Sequence, residues 1–225
     1  MKITVFSLFP EILEGFFQSS IMNKAVQKGL VEYKTFNIRD FTVDKHKNCD
    51  DSPYGGGAGM VLKCEPLAAA LDSVGAKEKR VIFATPSGKL FKQSMAKELS
   101  LEEELIFICG RYEGIDQRII DEYVDDEISI GDYVLSSGEI STLVIIDGIY
   151  RLIEGVISGE SLEEESFSQE NLLEYPHYTR PEVFRGVAVP EILLSGHHKK
   201  ITEWRMEKRI EKTRRFRPDL LQGQK

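Results

Sequence analysis

The sequence predicts an α/β protein with a parallel sheet, and three observations lead to that class. Short runs rich in β-branched and aromatic residues alternate with longer amphipathic runs, which is the pattern of β-α-β units. Two short runs, VIFA at 81–84 and LIFIC at 105–109, are apolar on both faces, as expected for central parallel strands covered by helices. The 225 residues are 41% hydrophobic and 29% charged, a globular composition that excludes a disordered or fibrous protein.

Local residue patterns justify each predicted element in order along the chain. β-branched and aromatic residues predict four strands, at 3–8, 31–38, 81–84 and 105–109. Apolar residues at helical spacing predict four helices, at 22–28, 67–74, 90–99 and 115–124. The acidic stretch 121–127 is interpreted as part of a solvated helix. A further helix, around 143–153, is too apolar to face solvent.

An acidic segment divides the chain into a large α/β domain at 1–157 and a small, mostly helical domain at 175–225. The segment between them, 158–174, has six glutamates, no basic residue and little apolar content, so we predict a linker. The small domain contains a predicted helix at about 198–215. From residue 192 to the end there are 10 Lys and Arg against 4 Asp and Glu, although the net charge of the chain is −8. This asymmetry points to a polyanion bound by the tail, and a solvated helix face explains it equally well.

Several classes of protein are excluded by simple features of the sequence. The three cysteines, Cys49, Cys64 and Cys109, are too irregularly spaced for a disulfide framework or a paired-cysteine zinc site, so a reducing cytoplasm fits best. The first residues carry an early proline and glutamates, which indicates a strand and not a secretory signal. The most apolar run, 140–153, is shorter than the roughly 20 residues of a membrane span.

The glycine-rich run at 55–59 matches neither the P-loop nor the dinucleotide-binding pattern. Four glycines in five residues are entropically costly unless a ligand or another backbone approaches closely, which modestly favours a functional loop. Three further loops, at 85–88, 110–118 and 129–139, each follow a predicted strand, and such loops form the ligand crevice of parallel sheets. Taken singly, each loop is also explained as a tight turn. Residues 102–139 hold 12 acidic and 2 basic side chains, which favours a cationic small ligand over a phosphate-bearing one.

Five segments occur in order over nearly the whole chain: SPYGGGAGM, CGRYEGIDQR, SIGDYVLSSGE, PHYTRPEVFRG and LLSGHHKKITEWR. Together they resemble the bacterial tRNA (guanine-37-N1)-methyltransferase family of the SPOUT superfamily. The resemblance implies a methyltransferase domain at 1–157 that ends in a trefoil knot, and a basic, helical tRNA-binding domain at 175–225. It implies methyl transfer from S-adenosylmethionine to N1 of the guanosine at tRNA position 37. It also implies a cytoplasmic homodimer with a composite active site, and a requirement for Mg²⁺.

Carried over position by position, the resemblance assigns the S-adenosylmethionine pocket to three loops. Its predicted residues are Thr85, Pro86, Gly110, Tyr112, Gly114, Ile130, Gly131, Asp132, Tyr133, Val134, Leu135 and Gly138. The sulfonium of this cofactor is a cation joined to an adenosine, so acidic, glycine-rich loops suit both halves. Ser137 stands where the family usually has glycine, and we expect little change because a small residue is kept.

N1 of guanine carries a proton, so methylation there needs a general base. The family uses a linker aspartate, and the matching residue here is Glu165, whose carboxylate reaches one methylene further. Glu164 and Glu174 remain alternative bases. Arg151 matches the arginine that stabilises negative charge on the guanine carbonyl oxygen. From the apolar helix alone, a plain salt bridge explains Arg151 equally well.

The resemblance assigns recognition of the target base to Glu113, with four further residues near the nucleotide: Asp50, His177, Arg180 and Ser195. A basic helix face is expected to contact backbone phosphates, through Arg205, Lys208, Lys212, Arg214 and Arg215. No metal ligands are assigned, because the four histidines lack metal-ligand spacing. Two alternatives stay open: a SPOUT enzyme that methylates a ribose 2′-hydroxyl, and a non-catalytic RNA-binding module.

Overall fold

Five parallel strands form the central sheet of the first of two units, Met1–Ile157, in a computed structural model of the chain. The structure describes residues 1–168 and 172–221. Residues 169–171 of the predicted linker and 222–225 of the predicted C-terminal domain lie outside the described residues. The strands of this unit are β1 (Lys2–Ser7), β2 (Glu32–Asn37), β3 (Asp50–Asp51), β4 (Val61–Leu62), β5 (Arg80–Leu90), β6 (Glu104–Cys109) and β7 (Asp126–Ser129).

The order of the strands across the sheet is β2-β1-β6-β5-β7, and every neighbouring pair is parallel. The short strands β3 and β4 form a separate antiparallel pair. The helices of this unit are α1 (Glu11–Phe17), α2 (Ser20–Gln27), α3 (Cys64–Asp72), α4 (Gln93–Leu99), α5 (Gln117–Tyr123) and α6 (Gly138–Tyr150). The predicted α/β class with a parallel sheet is confirmed.

Two hydrophobic clusters pack on opposite faces of the sheet, because successive strand residues point to opposite sides. Along β6, Leu105 and Phe107 belong to one cluster, whereas Ile106 and Ile108 belong to the other. The first cluster includes buried residues of α1, α2, α4 and α6, and the second includes those of α3 and α5. Both faces of the central strands are therefore covered, as their apolar sequences predicted.

Three local predictions in this unit are wrong. Residues 85–88, predicted as a loop, lie inside β5, where Ala84 and Lys89 both pair with Ile128. Such a shift in register leaves the intervening residues out of the ladder as a bulge. The helix predicted from residue 90 begins at Gln93, because β5 continues through Leu90. The acidic stretch 121–127 is not one helix, since α5 ends at Tyr123 and β7 begins at Asp126.

The second unit, Ser158–Lys225, is described by itself. It contains α7 (Gly159–Glu163), β8 (Val183–Phe184), β9 (Val187–Ala188), α8 (Glu191–Leu194) and α9 (His198–Phe216). The two strands form an antiparallel hairpin. Part of the predicted linker packs on α9, where the Leu173 N–H donates to the buried Thr213 hydroxyl at 2.9 Å. Buried Arg209 donates to the carbonyl oxygens of Leu173 and Glu165, both at 3.2 Å.

Across the described parts of both units, no helix combines the length and apolar character needed to cross a membrane.

Candidate functional site

A cavity of ≈ 240 Å³ opens at the carboxyl ends of β6 and β7, beside the bulge in the middle of β5. It is far larger than the about 10–15 Å³ that one water needs by the same measure, so it is the size of a ligand site. The three segments predicted as loops all contribute to its wall, although residues 85–88 belong to the bulge in β5 and not to a loop. Eleven predicted cofactor residues line it: Thr85, Pro86, Gly110, Tyr112, Gly114, Ile130, Gly131, Tyr133, Val134, Leu135 and Gly138. Asp132 is exposed and does not line the cavity.

The bulge in β5 forms one wall of the cavity. Pro86 has no N–H group for a strand ladder, so the bulge is a favourable place for it. The hydroxyls of Thr85 and Ser87 are hydrogen-bonded at 3.0 Å. A Cβ atom on Gly88 would lie 2.4 Å from main-chain atoms of Glu127 and Ile128, so glycine allows β5 to rejoin β7.

Glycines bring main-chain segments unusually close at the floor of the cavity. The Gly138 N–H donates to the Gly110 carbonyl at 2.8 Å, and a Cβ atom on Gly138 would lie 2.5 Å from the Gly110 nitrogen. Gly131 adopts φ +147°, and the Tyr133 ring occupies the space of its missing side chain. The cavity therefore offers backbone amides and carbonyls at close range, which suits a flat heterocycle such as adenine.

The charged side chains in the described cavity wall are Arg111 and Glu113. Glu113 is exposed at the rim, and Arg111 lies over the Phe9 ring at 4.9 Å from its centroid. Nearby, Asp116 caps α5 by accepting from the Arg118 backbone N–H at 3.0 Å. Hydrogen bonding to the Arg118 guanidinium holds the pKa of the Asp116 carboxyl well below its usual range. The loop 110–116 is thus anchored at the start of α5. An acidic group at its rim remains available to a cationic or hydrogen-bonding ligand.

A buried polar cluster adjoins the floor of the cavity, and sequence reasoning missed it. Glu139 is 1% exposed, and its Oε1 accepts a hydrogen bond from the buried Ser7 hydroxyl at 2.6 Å. Its Oε2 has no hydrogen-bond partner within the described ranges. Burial raises the pKa of the neighbouring Cys109 thiol, which donates to the Thr142 hydroxyl at 3.5 Å. A glutamate in the first turn of an otherwise apolar helix was the available signal, because the helix N-terminus favours a carboxylate there.

Ser136, Ser137 and Ser141 also line the cavity beside Gly138, although none of them was assigned to the cofactor from the sequence. The remaining predicted residues of the first unit lie elsewhere in it. Asp50 is half-buried in β3, and Arg151 is half-buried at the C-cap position directly after α6.

The three candidate bases have different surroundings in the second unit. The Glu164 carboxylate accepts from the Tyr175 hydroxyl and from Arg205, the latter at 3.2 Å. Burial of Tyr175 and its hydrogen bond to Glu164 raise the pKa of the Tyr175 hydroxyl to about 12. A carboxylate oxygen of Glu174 lies 3.9 Å from Nε2 of His177. Glu165 is half-buried, and its main-chain carbonyl oxygen accepts a hydrogen bond from Arg209. Glu164 is thus committed to a local network, which disfavours it as the base.

The predicted basic face of α9 divides into internally bonded and exposed side chains. Arg205 stacks over the Tyr175 ring at 4.5 Å, and Lys208 pairs with Glu211 at 2.5 Å. Lys212 is half-buried, whereas four other predicted RNA contacts are exposed: Arg214, Arg215, His177 and Arg180. Ser195 is also exposed and donates to the Ile192 carbonyl at 2.7 Å. Arg214 and Arg215 at the end of α9 are therefore best placed to meet a phosphate backbone.

Metal ions in proteins are mostly held by His, Cys, Asp and Glu side chains. In the described part of the chain, no three of them come together closely enough to hold an ion. The Mg²⁺ implied by the family resemblance therefore has no fitting set of protein ligands among the described residues.

Comparison with known proteins identifies the family. A family model described as tRNA (Guanine-1)-methyltransferase TrmD matches residues 1–223. A Treponema denticola protein named tRNA (guanine-N(1)-)-methyltransferase is 68% identical over 99% of this chain and 91% of its own length. Proteins with the same name from Borrelia turicatae and Treponema pallidum are 62% and 61% identical over 98% of this chain, and over 92% and 88% of their own lengths. With a cavity of ligand size at the carboxyl edge of its sheet and these matches over almost its whole length, the chain belongs to the tRNA (Guanine-1)-methyltransferase TrmD family.

Proposed function

We propose that this protein transfers a methyl group from S-adenosylmethionine to N1 of the guanosine at position 37 of tRNA. One observation carries the proposal: a single cavity is lined by eleven of the twelve residues that the family resemblance assigns to the cofactor. The similarly named relatives support the reaction and the substrate class. The two alternatives, ribose 2′-O-methylation and RNA binding without catalysis, are not favoured by any of these findings.

S-adenosylmethionine supplies a methyl group on a positively charged sulfur. The backbone groups around Gly110, Gly131 and Gly138 would hold its adenosine, because side chains do not obstruct their approach. The negative charge of the rim carboxylate Glu113 favours a cationic ligand. These features support the cofactor assignment, with Asp132 as the one assigned residue outside the cavity wall.

The reaction requires removal of the N1 proton, since the protonated nitrogen has no lone pair in the ring plane for attack. We assign this proton to the Glu165 carboxylate. As it leaves, negative charge develops on the guanine carbonyl oxygen, and Arg151 would stabilise it. N1 then forms a bond to the methyl carbon while the carbon–sulfur bond breaks, which leaves S-adenosylhomocysteine.

The tRNA would be held mainly by the second unit. Arg214 and Arg215 would contact phosphates, while Arg205 is best regarded as a residue that orders Glu164 and Tyr175. Asp50, Glu113, His177, Arg180 and Ser195 retain their assignment near the target nucleotide, with Lys208 and Lys212 on the flank of α9. A target base in a folded RNA loop must be taken out of its stack to be reached, which explains the need for contacts from several segments.

A homodimer, a trefoil knot and a cytoplasmic location complete the proposal. Ile140 and Val144 on α6 are 48% and 46% exposed, which supports burial of this apolar face against a second subunit. We assign the trefoil knot from the family, in the region where Gly138 packs against the Gly110 backbone. Light scattering tests the dimer, since a monomer at working concentration contradicts it. Mg²⁺ remains an expectation from the family without assigned ligands.

The decisive experiment maps the methyl group by mass spectrometry after incubation with unmodified tRNA and S-adenosylmethionine. We expect N1-methylguanosine at position 37. A tRNA with 2′-deoxyguanosine at that position should still be methylated, whereas its failure to react would favour the ribose target. Methylation at another nucleotide would refute the assigned site.

The assignment of the base is tested by Glu165→Gln. This variant should lose turnover by at least about 10²-fold, because general-base catalysis contributes about 10²–10⁴-fold, while cofactor affinity is kept. Glu163→Gln is the matched control, since Glu163 is an exposed glutamate of the same segment. Activity of Glu165→Gln close to that of the control would transfer the role to Glu174.

A further inference from the structure

The last glycine of the glycine-rich run lies against Glu113 at the rim of the cavity. A Cβ atom on Gly59 would lie 2.3 Å from Oε1 of Glu113 and 2.6 Å from its Cγ. Real side chains do not approach this closely, so the Glu113 side chain occupies space that any other residue at position 59 would fill. By contrast, a Cβ atom on Gly55 or Gly57 would have no described atom within 4 Å.

Main-chain hydrogen bonds fix the two segments beside each other. The Glu113 N–H donates to the Met60 carbonyl at 3.1 Å, and the Leu62 N–H donates to the Gly114 carbonyl at 3.0 Å. A third bond joins the Asp116 N–H to the Leu62 carbonyl at 3.1 Å, and Leu62 is fully buried. Because both backbones are held in register, a side chain at position 59 would displace the Glu113 carboxylate before it moved either segment.

We propose that Gly59 is a positioning residue, and that its missing side chain sets the place of the Glu113 carboxylate on the cavity rim. This carboxylate can accept hydrogen bonds from N–H groups of a ligand, and guanine presents two such groups on its Watson–Crick edge. The inference deepens the proposed function and rests on it for the identity of that ligand. It also gives the glycine-rich run a role that neither phosphate-binding pattern explains.

The test compares Gly59→Ala with Gly55→Ala. Both glycines have φ +88°, a left-handed value that strains an alanine at either site, and only Gly59→Ala crowds Glu113. Both variants should lower the melting temperature similarly. Gly59→Ala should lower kcat/KM for tRNA by about 10²-fold, as expected for a catalytic-site group displaced by about 1 Å. Gly55→Ala should stay within about twofold of the parent, because its new side chain would meet no described atom within 4 Å.

A second comparison separates positioning from general damage to the loop. In a Glu113→Ala background the crowded carboxylate is absent, so adding Gly59→Ala should lower kcat/KM no further than adding Gly55→Ala does. The proposal would be overturned if Gly59→Ala lowered kcat/KM by the same factor in the parent enzyme and in the Glu113→Ala variant. A Gly59→Ala enzyme as active as Gly55→Ala would also overturn it.

A readout without activity keeps this inference distinct from the proposed function. A crystal structure of Gly59→Ala should show the Glu113 carboxylate moved from its place against residue 59, with the Met60 to Glu113 hydrogen bond retained. An unmoved carboxylate refutes the positioning role even if the enzyme methylates guanine. A moved carboxylate supports it even if the methyl acceptor differs from the one proposed.

Discussion

Replacing Ser7 by alanine should destabilise the protein, because it leaves a buried carboxylate without its hydrogen-bond donor. Ser7 is fully buried at the end of β1, and its hydroxyl donates to Glu139 at 2.6 Å. The same hydroxyl accepts from the Phe9 N–H at 2.8 Å. The variant therefore removes two hydrogen bonds at once, and solvent does not reach Glu139 to replace the lost donor.

The expected loss follows from these two contacts. A buried acceptor without its donor costs about 1–3 kcal/mol, and the lost bond to Phe9 adds about 1 kcal/mol. We therefore expect the free energy of unfolding to fall by about 2–4 kcal/mol. In a chain of this length each kcal/mol shifts the melting temperature by about 2–4 °C, so the shift should be about 4–16 °C.

Urea unfolding followed by circular dichroism measures this change. Ser100→Ala is the control, because the Ser100 hydrogen bond to the Lys97 carbonyl is solvent-exposed, and its loss should cost about 0.5 kcal/mol or less. A double variant, Ser7→Ala with Glu139→Met, should be more stable than Ser7→Ala alone, since both partners become apolar. A cost for Ser7→Ala no larger than that of Ser100→Ala would refute the reasoning.

Three further outcomes are expected. Gly138→Ala should weaken cofactor binding by over about tenfold in calorimetry, since its Cβ atom would meet the Gly110 backbone at 2.5 Å, whereas Gly15→Ala, with open space around it, should not. Changing Arg214 and Arg215 together to alanine should weaken tRNA binding and reduce the slope of log affinity against log salt by about 1–2, and an unchanged slope would exclude them as phosphate contacts. The raised pKa of Tyr175, about 12 against an ordinary 10.0, means that its proton stabilises the fold fully below pH 10, and this contribution is lost as pH rises through 12. Tyr175→Phe should therefore flatten the fall in unfolding free energy over that range, and identical pH profiles would contradict it.

Local residue patterns predicted four of the five strands of the sheet and five of the six helices of the first unit, and they missed β7 and α1. Strand 105–109 was predicted from LIFIC alone, and β6 ends at the same residue, Cys109. Such patterns have a short period and report which faces are buried. They failed at residues 85–88, because a bulge depends on the register of the neighbouring strand β7 and not on the residues within it.

The position of the cavity was largely predictable, because the segments that follow β6 and β7 meet at one edge of the sheet and the family motifs fall in those segments. The roles within the basic helix were less predictable. Arg205 and Arg214 have the same charge and lie on the same helix, yet Arg205 is held by Glu164 and Tyr175 while Arg214 is exposed. Contacts with a separate segment decide this difference.

The sequence by itself determined the α/β class, the acidic and basic parts of the chain, and the family to which it belongs, because these depend on composition, short-period patterns and motif order. Only the tertiary structure decided which glycines allow two segments of the chain to approach closely. Gly138 meets Gly110, Gly59 leaves room for Glu113, and Glu139 reaches Ser7 across 132 residues of chain. These contacts join segments far apart in sequence, so no local pattern encodes them, and they exist only once the sheet has brought the strand ends together.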